Sequence, residues 1–302
     1  MYRNGWYQIG FERDLTQDLT PAAIGTRRVV LVRGEGGIRA FDSVCPHRGA
    51  NLAIGGRLDR EAIVCPFHGY RIGLGRECEH GFRVREYPAL LVGGLVFVRL
   101  SDSHDNGFRE FLEQLDQDHY FVPGFTMRVM APPAMVVENA FDNSHFRPVH
   151  GIHNEPRFRI LPSQCGEFAI EGVFEYGAIW RADRKPTDKV RVPFVARAFS
   201  PGIVLGQVGG DRPYFTVTCA TPITENDCLV RFSLAVPAGE GSTPPSEEFC
   251  QRVLRESKSG LEQDQVIWEN MSINAPCHYT AMDAAVLAFK EFCRPFEDAG
   301  QA

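Results

Sequence analysis

The sequence predicts an α+β protein in two parts. Residues 1–120 read as an all-β domain, and residues 121–302 as a second domain in which an antiparallel sheet is followed by a C-terminal helix. Three observations predict this. The first hundred residues are short β-rich runs cut by glycine-rich turns. Longer β-rich runs follow between Phe168 and Pro237. A helical stretch with acidic residues in its first turn then opens at Ser246-Glu247-Glu248.

Taken in order, Val29–Val32 and Ile38–Phe41 flank Gly34-Glu35-Gly36-Gly37, which is a hairpin signal. Ala62–Val64, Tyr70–Ile72 and Leu95–Leu100 read as further strands, and Phe108–Leu115 as a helix. Pro123-Gly124 punctuates the chain, so the domain boundary falls near residue 120. Ala134–Val137 is strand-like, and an interrupted helix starts at about Glu138. The runs Phe168–Arg181, Val190–Phe199, Ile203–Val208, Tyr214–Ala220 and Leu229–Val236, separated by tight turns, predict one antiparallel sheet. The helix opened by Ser246 runs to about Asn270. A second begins at Thr280 and runs to about Cys293, with Met282, Val286 and Phe289 on its apolar side.

Composition narrows the function. An apolar content of 44% and a charged content of 23% belong to an ordinary globular chain. A net charge of -6 argues against a nucleic-acid footprint, which needs a basic face. No apolar run reaches the roughly 18 to 20 residues of a membrane span. The start, MYRNGWYQIGFERD, has no apolar core of a secretory signal, so a cytoplasmic protein is expected. The 9 cysteines are then not a disulfide framework. Cys78, Cys165, Cys219, Cys228, Cys250, Cys277 and Cys293 read as buried small hydrophobes.

Cys45 and Cys65 differ, because each stands beside a histidine. Cys45-Pro46-His47 and Cys65-Pro66-Phe67-His68 are separated by 17 residues. Thiolates and imidazoles hold zinc or an iron–sulfur cluster. Zinc fingers set two cysteines against two histidines on one helix, whereas here each cluster is mixed and lies at a turn beside strands. The mixed arrangement suits two irons, one bound by both cysteines and the other by both histidines, which is a Rieske 2Fe–2S centre. Gly49 and Gly69 permit close approach of backbone N–H groups to the bridging sulfurs. Residues 1 to about 105 resemble the Rieske family closely. Arg48, Gly49 and Phe67 stand where membrane-complex members carry two further loop cysteines, so that branch is excluded, and a soluble Rieske ferredoxin would end near residue 110.

The continuation contains VVENAFDNSHFRPVHGIHNEP, with Asp142, His145 and His150 in a D-x2-H-x4-H pattern. Two histidines and a carboxylate are the facial triad of non-haem iron(II). On an unbroken helix positions five apart point about 140° away from each other. Pro148 is therefore expected to break the helix at Arg147 and let His150 swing back toward His145. For the carboxylate, GLEQDQVIWENM offers Glu262, Asp264 and Glu269.

Together the two motifs resemble the oxygenase component of Rieske non-haem iron oxygenases. Gln263-Asp264-x2-Ile267-Trp268 is similar to the ligand helix of 3-ketosteroid 9α-hydroxylase and its sterol-desaturase relatives. The resemblance implies iron ligands His145, His150 and Asp264, with Asn139 near the iron and His153 outside the site. His80, His104, His119 and His278 are expected at the surface. It also implies a helix-grip-like second domain, its sheet curved over the C-terminal helix, with an apolar substrate channel lined by the sheet and the Glu138–His150 segment. The chain is shorter than most such subunits, from which shortened pocket loops are expected.

The implied activity is reductive activation of O2 to hydroxylate, desaturate, demethylate or cyclise a lipophilic, ring-containing small molecule. No G-x-G-x-x-G opens a helix after a strand, so an NAD(P)H-dependent reductase or ferredoxin is expected as a separate partner. The alternative is an electron-transfer or redox-sensing protein without iron in its second domain. The family further implies a head-to-tail homotrimer, in which Asp142 joins His145 to a cluster histidine of the next subunit, His68 rather than His47.

Overall fold

The β-rich runs of the first hundred residues become eleven short strands in a computed structural model that describes residues 4–34, 37–177, 189–239 and 243–297. They are β1 (Trp6–Phe11), β2 (Leu19–Ile24), β3 (Arg27–Gly34), β4 (Gly37–Asp42), β5 (Arg57–Asp59), β6 (Ala62–Val64), β7 (Arg71–Leu74), β8 (Arg83–Val84), β9 (Glu86–Tyr87), β10 (Ala89–Val92) and β11 (Leu95–Arg99). Three sheets result, in the orders β2-β3-β4-β9, β5-β6-β7-β8 and β1-β11-β10. The run Val29–Val32 explains why they pack. Alternation along β3 sends Val30 and Val32 to a core shared with Phe41, Cys45 and Cys65. Val29 and Leu31 go to a second core with Tyr7, Val96 and Val98. Strands β3 and β4 pair down to Gly34 and Gly37; Glu35 and Gly36 of the expected turn lie outside the described residues.

Helix α1 (Phe108–Leu115) buries Phe108, Leu112 and Leu115, as its spacing predicts. The second half is built on one seven-stranded antiparallel sheet, β12-β18-β17-β16-β15-β14-β13. Its strands are β12 (His119–Val129), β13 (Arg159–Leu161), β14 (Phe168–Gly177), β15 (Lys189–Ser200), β16 (Ile203–Val208), β17 (Tyr214–Thr224) and β18 (Asp227–Pro237). Residues 178–181 of the expected Phe168–Arg181 run lie outside the described residues. β12 and β13 were not anticipated. Pro123-Gly124 does not interrupt the chain: it sits inside β12, where the register shifts between Pro123 and Phe125. β12 is an edge strand, so a missing N–H and a bulge are tolerated there.

The strand expected at Ala134–Val137 is instead helix α2 (Pro133–Glu138). Pro133 occupies the first turn, where its fixed φ fits and its absent N–H costs nothing. Val136 and Val137 are both buried because the helix lies between two cores, Val136 against Val230 and Trp268, Val137 against Phe141 and Phe289. α3 (Phe146–His150), α4 (Glu247–Trp268) and α5 (Ala284–Cys293) complete the chain. The Ser246 side chain accepts the Phe249 N–H at the start of α4. Thr280 and Asp283 form a capping box before α5. Met282, placed on that helix's apolar side, is 41% exposed, because it falls in the irregular turn Ala281–Asp283 ahead of the helix proper.

α4 packs across β12 and β18, and α5 against β14, so both helices cover one face of the large sheet. The other face meets α1, β1 and the β10–β11 hairpin through Phe199, Leu205, Phe215 and Val217. Three cysteine expectations fail. Cys165 and Cys277 are exposed and Cys78 is half-buried, since all three stand in loops rather than in packed elements. His119 is not a surface residue either. Its ring packs edge-on against Phe215 at 5.3 Å and bonds to Asp118 and the Pro213 carbonyl.

Candidate metal centres

Two loops carry the Cys-Pro-His and Cys-Pro-Phe-His pieces, one after β4 and one between β6 and β7. They are built alike. In the first, the Cys45 N–H donates to the Ala50 carbonyl at 2.8 Å and the Gly49 N–H to the Cys45 carbonyl at 2.9 Å. In the second, Cys65 donates to Tyr70 at 2.9 Å and Gly69 to Cys65 at 3.0 Å. Both turns close on a glycine in the left-handed region, φ +76° at Gly49 and +75° at Gly69, so the backbone conformation alone already favours glycine.

Matched turns bring the four side chains together. Both cysteines are buried, each 2% exposed. Burial pushes the Cys45 thiol up from its ordinary pKa, and its contact with Cys65 adds to this. The His47 and His68 rings lie 4.7 Å apart, and Tyr70 and Phe82 pack against His47. His47 Nδ1 is buried with no hydrogen-bond partner. Buried imidazole nitrogens are almost always satisfied, and an orphan of this kind beside two buried thiols has the chemistry of a ligand set. The residues fit a 2Fe–2S cluster held by two thiolates and two imidazoles.

The second centre is assembled from three elements. α2 runs into a short turn, Asn139–Phe141, and the backbone becomes extended at Asp142. The break therefore lies before His145 and not at Pro148. Pro148 sits within the first turn of the one-turn helix α3, whose leading N–H groups need no partner, and Arg147 is helical. His145 is the residue that precedes α3 and His150 its last. Their rings meet at 5.1 Å and an angle of 84°.

α4 supplies the carboxylate. Asp264 is 6% exposed, and its Oδ1 lies 3.2 Å from His150 Nε2. One ligand atom each from His145, His150 and Asp264 lies within 4.8 Å of the others. The opposite ring nitrogens are occupied. His145 Nδ1 bonds the Asp142 carbonyl at 2.8 Å, and His150 Nδ1 bonds Gln263 Oε1 at 3.0 Å. Such bonds fix the tautomer and leave Nε2 of each ring for a metal. Two imidazoles and one carboxylate on converging elements fit iron(II).

Asn139 lies against the same group, its Nδ2 donating to Asp264 Oδ2 at 2.9 Å and to His145 Nε2 at 3.1 Å. The Asp142 carboxylate accepts the Ser144 N–H at 2.9 Å and stands 3.5 Å from His145 Nδ1. Burial would raise its pKa, but the bonds from His145 and Ser144 outweigh this and hold it below its ordinary value. The other two acidic candidates stand elsewhere. Glu262 is exposed and pairs with Lys258, while Glu269 accepts the Met130 N–H at 3.0 Å. His153 is exposed away from the triad. Gln263 was missed as a partner of His150, since nothing in a lone glutamine marks it as a buffer for an imidazole. A cavity of 490 Å³ adjoins Asp142, His145 and Asp264. Its walls come from α2, the 139–149 segment, α4, the 271–279 loop and α5, so the expected Glu138–His150 segment lines it, while among the described residues no sheet residue does.

Comparison with known proteins bears on both centres. Residues 5–88 match the Rieske [2Fe-2S] domain, and residues 108–292 match the 3-Ketosteroid 9alpha-hydroxylase C-terminal domain. Cholesterol 7-desaturase of Bombyx mori is 30% identical over 332 residues, spanning 98% of this chain and 69% of that protein. The oxygenase component of 3-ketosteroid-9-alpha-monooxygenase from Rhodococcus rhodochrous is 23% identical, spanning 89% and 74%. Among solved structures, dicamba monooxygenase bound to 3,6-dichlorosalicylic acid superposes with a TM-score of 0.74 at 18% identity over 97% of each chain.

Proposed function

The chain belongs to the Rieske non-haem iron oxygenases, as a terminal oxygenase with a Rieske domain and a 3-ketosteroid 9α-hydroxylase-type C-terminal domain, and from that premise we propose how its residues divide the work. Its cofactors are a 2Fe–2S cluster and a mononuclear iron. The observation that carries the proposal is the meeting of His145, His150 and Asp264 in the same chain as the twin Cys/His loops. When bound, the cluster supplies single electrons and the iron supplies the place where O2 is reduced.

The residues do the rest. Cys45, His47, Cys65 and His68 hold the cluster, and His145, His150 and Asp264 hold the iron. The Asp142 carbonyl and Gln263 keep both imidazoles in the tautomer that presents Nε2. Asn139, bonded to Asp264, orients the carboxylate. The substrate is an organic small molecule, and we place it among lipophilic ring compounds, which the names of the cholesterol and 3-ketosteroid relatives favour. Hydroxylation, desaturation, demethylation and ring closure all stay within this chemistry, and pocket shape selects among them.

Electrons come from a separate reductase or ferredoxin, which we take to draw on NAD(P)H. No described helix is long and apolar enough to cross a membrane. None of the nine cysteines is in a disulfide, which favours the reducing cytoplasm. We further propose a head-to-tail homotrimer. Two apolar patches support it. Phe67 and Ile54, each 59% exposed, lie on the Rieske loops or beside them, with His68 at the surface. Ile267, Met271, Ile273 and Tyr279, 41–51% exposed, rim the cavity that reaches Asp142. Different patches that pair head to tail form a ring when the rotation between subunits closes. Metal analysis tests the proposal: about three irons and two sulfides per chain are expected, and two of each would leave only an electron carrier.

A further inference from the structure

The sheet face turned toward α4 and α5 is uncharged. Register places Phe174, Phe194, Val208, Tyr214 and Phe232 on that face, together with Tyr176. Glu171, Glu175, Arg191, Arg197 and Arg231 alternate onto the other face, so among the described residues β14 to β18 present no charged side chain to the helices. Between the parts covered by α4 and α5 the floor is made of small residues, Ala196 and Gly206, both buried, and Thr216 and Thr218. The two threonines remain half-buried although β17 is an inner strand, so larger side chains do not close over them.

An aromatic wall leads from the iron histidines to this floor. The Phe146 ring lies 4.1 Å from His145 and 4.7 Å from Phe174, and Phe174 lies 4.8 Å from Phe194 and 6.2 Å from Tyr176. Polarity on the face comes from hydroxyls. Burial raises both phenols, Tyr214 to about 12 and Tyr176 further, so each stays a neutral O–H donor. From α4, Glu256 bears on both tyrosines and Arg252 on Tyr214. An anionic ligand would lose hydration against an uncharged wall, and near the phenols Glu256 offsets Arg252.

We infer that Tyr176 and Tyr214 are the specificity-determining anchors of the substrate site, donating hydrogen bonds to a carbonyl or hydroxyl oxygen of an uncharged ring compound that lies against the Phe146–Phe174 wall. The inference rests on the oxygenase reading of the triad and adds that carboxylated rings are rejected. Three probes of one ring system test it by calorimetric binding to the iron-loaded protein: fluorenone, fluorene and fluorenone-4-carboxylate. Fluorenone is expected to bind about tenfold or more tightly than its carboxylate. Tyr176→Phe/Tyr214→Phe is expected to lose about tenfold for fluorenone and nothing for fluorene, which has no acceptor. Should the double variant not fold, each single variant carries the same comparison. Equal or tighter binding of the carboxylate, unchanged fluorenone binding in the variants, or no binding of any probe overturns the inference. Iron and sulfide counts on the same samples report separately on the oxygenase reading.

Discussion

At the scale of single residues, the three acidic candidates on α4 differ in surroundings rather than in chemistry. Asp264 is buried against His150 and Asn139, whereas Glu262 is paired with Lys258 in solvent and Glu269 holds a backbone N–H. Asp264→Ala is therefore expected to lower iron from about three to about two atoms per chain, leave the visible spectrum of the cluster intact and abolish turnover. Glu262→Ala should keep all three; loss of iron there instead would move the assignment. Asp142 tests a different point. Its main-chain carbonyl already orients His145, and its carboxylate, which accepts the Ser144 N–H and stands 3.5 Å from His145 Nδ1, keeps lone pairs for a further partner. Asp142→Asn keeps the shape and removes the charge. It is expected to retain iron, cluster and assembly yet lose nearly all substrate-coupled turnover, read by steady-state oxygen uptake. Wild-type rates would leave the carboxylate as no more than a local helix-entry residue.

At the scale of elements, the turn chemistry and the long periodic runs were legible, and the exceptions have identifiable causes. Ser246 marked a true helix start and Thr280 the short turn Ala281–Asp283 that leads into α5, because a cap is a local hydrogen bond. Ala134–Val137 misled because β-branched side chains favour strands only when nothing else buries them, and here two cores bury a helix on both sides. Pro148 misled because position outweighs residue type: in a first turn it breaks nothing. The pairing of His145 with His150 was read from spacing, but the route to it, an extended Asp142 and a one-turn helix, could not be. Pro123-Gly124 misled in the same way, and Gly124 has a structural duty. A Cβ there would come 2.7 Å from Leu254 Cδ2 on α4 and 2.5 Å from the Phe232 carbonyl. Gly124→Ala is expected to cost about 1–3 kcal/mol by overpacking, seen as a lower melting temperature with cluster and iron still bound when cold. An unchanged melting temperature would mean that α4 is not seated on that bulge.

At the scale of the whole molecule, the proposed ring makes cofactor loss in one subunit repairable by its neighbour. Co-expression of His68→Ala, defective in the cluster, with Asp264→Ala, defective in iron, is expected to restore about a quarter of wild-type turnover in randomly mixed trimers. Each preparation alone should be inactive, and an inactive mixture would confine electron transfer to single chains. The convergence of α3 and α4 has a mechanical consequence. His150 and Asp264 are 114 positions apart in the chain, so an ion held by both is a clasp across a long loop of sequence that carries most of the large sheet. A clasp of that span restricts the unfolded chain and stabilises in proportion to how firmly the ion is bound. Removing iron with a chelator that spares the cluster should then lower the melting transition of the second half alone in differential scanning calorimetry. The Rieske half, closed by its own short loops, should melt where it did before, so the apo-protein would come apart in two steps, its sheet loosening first.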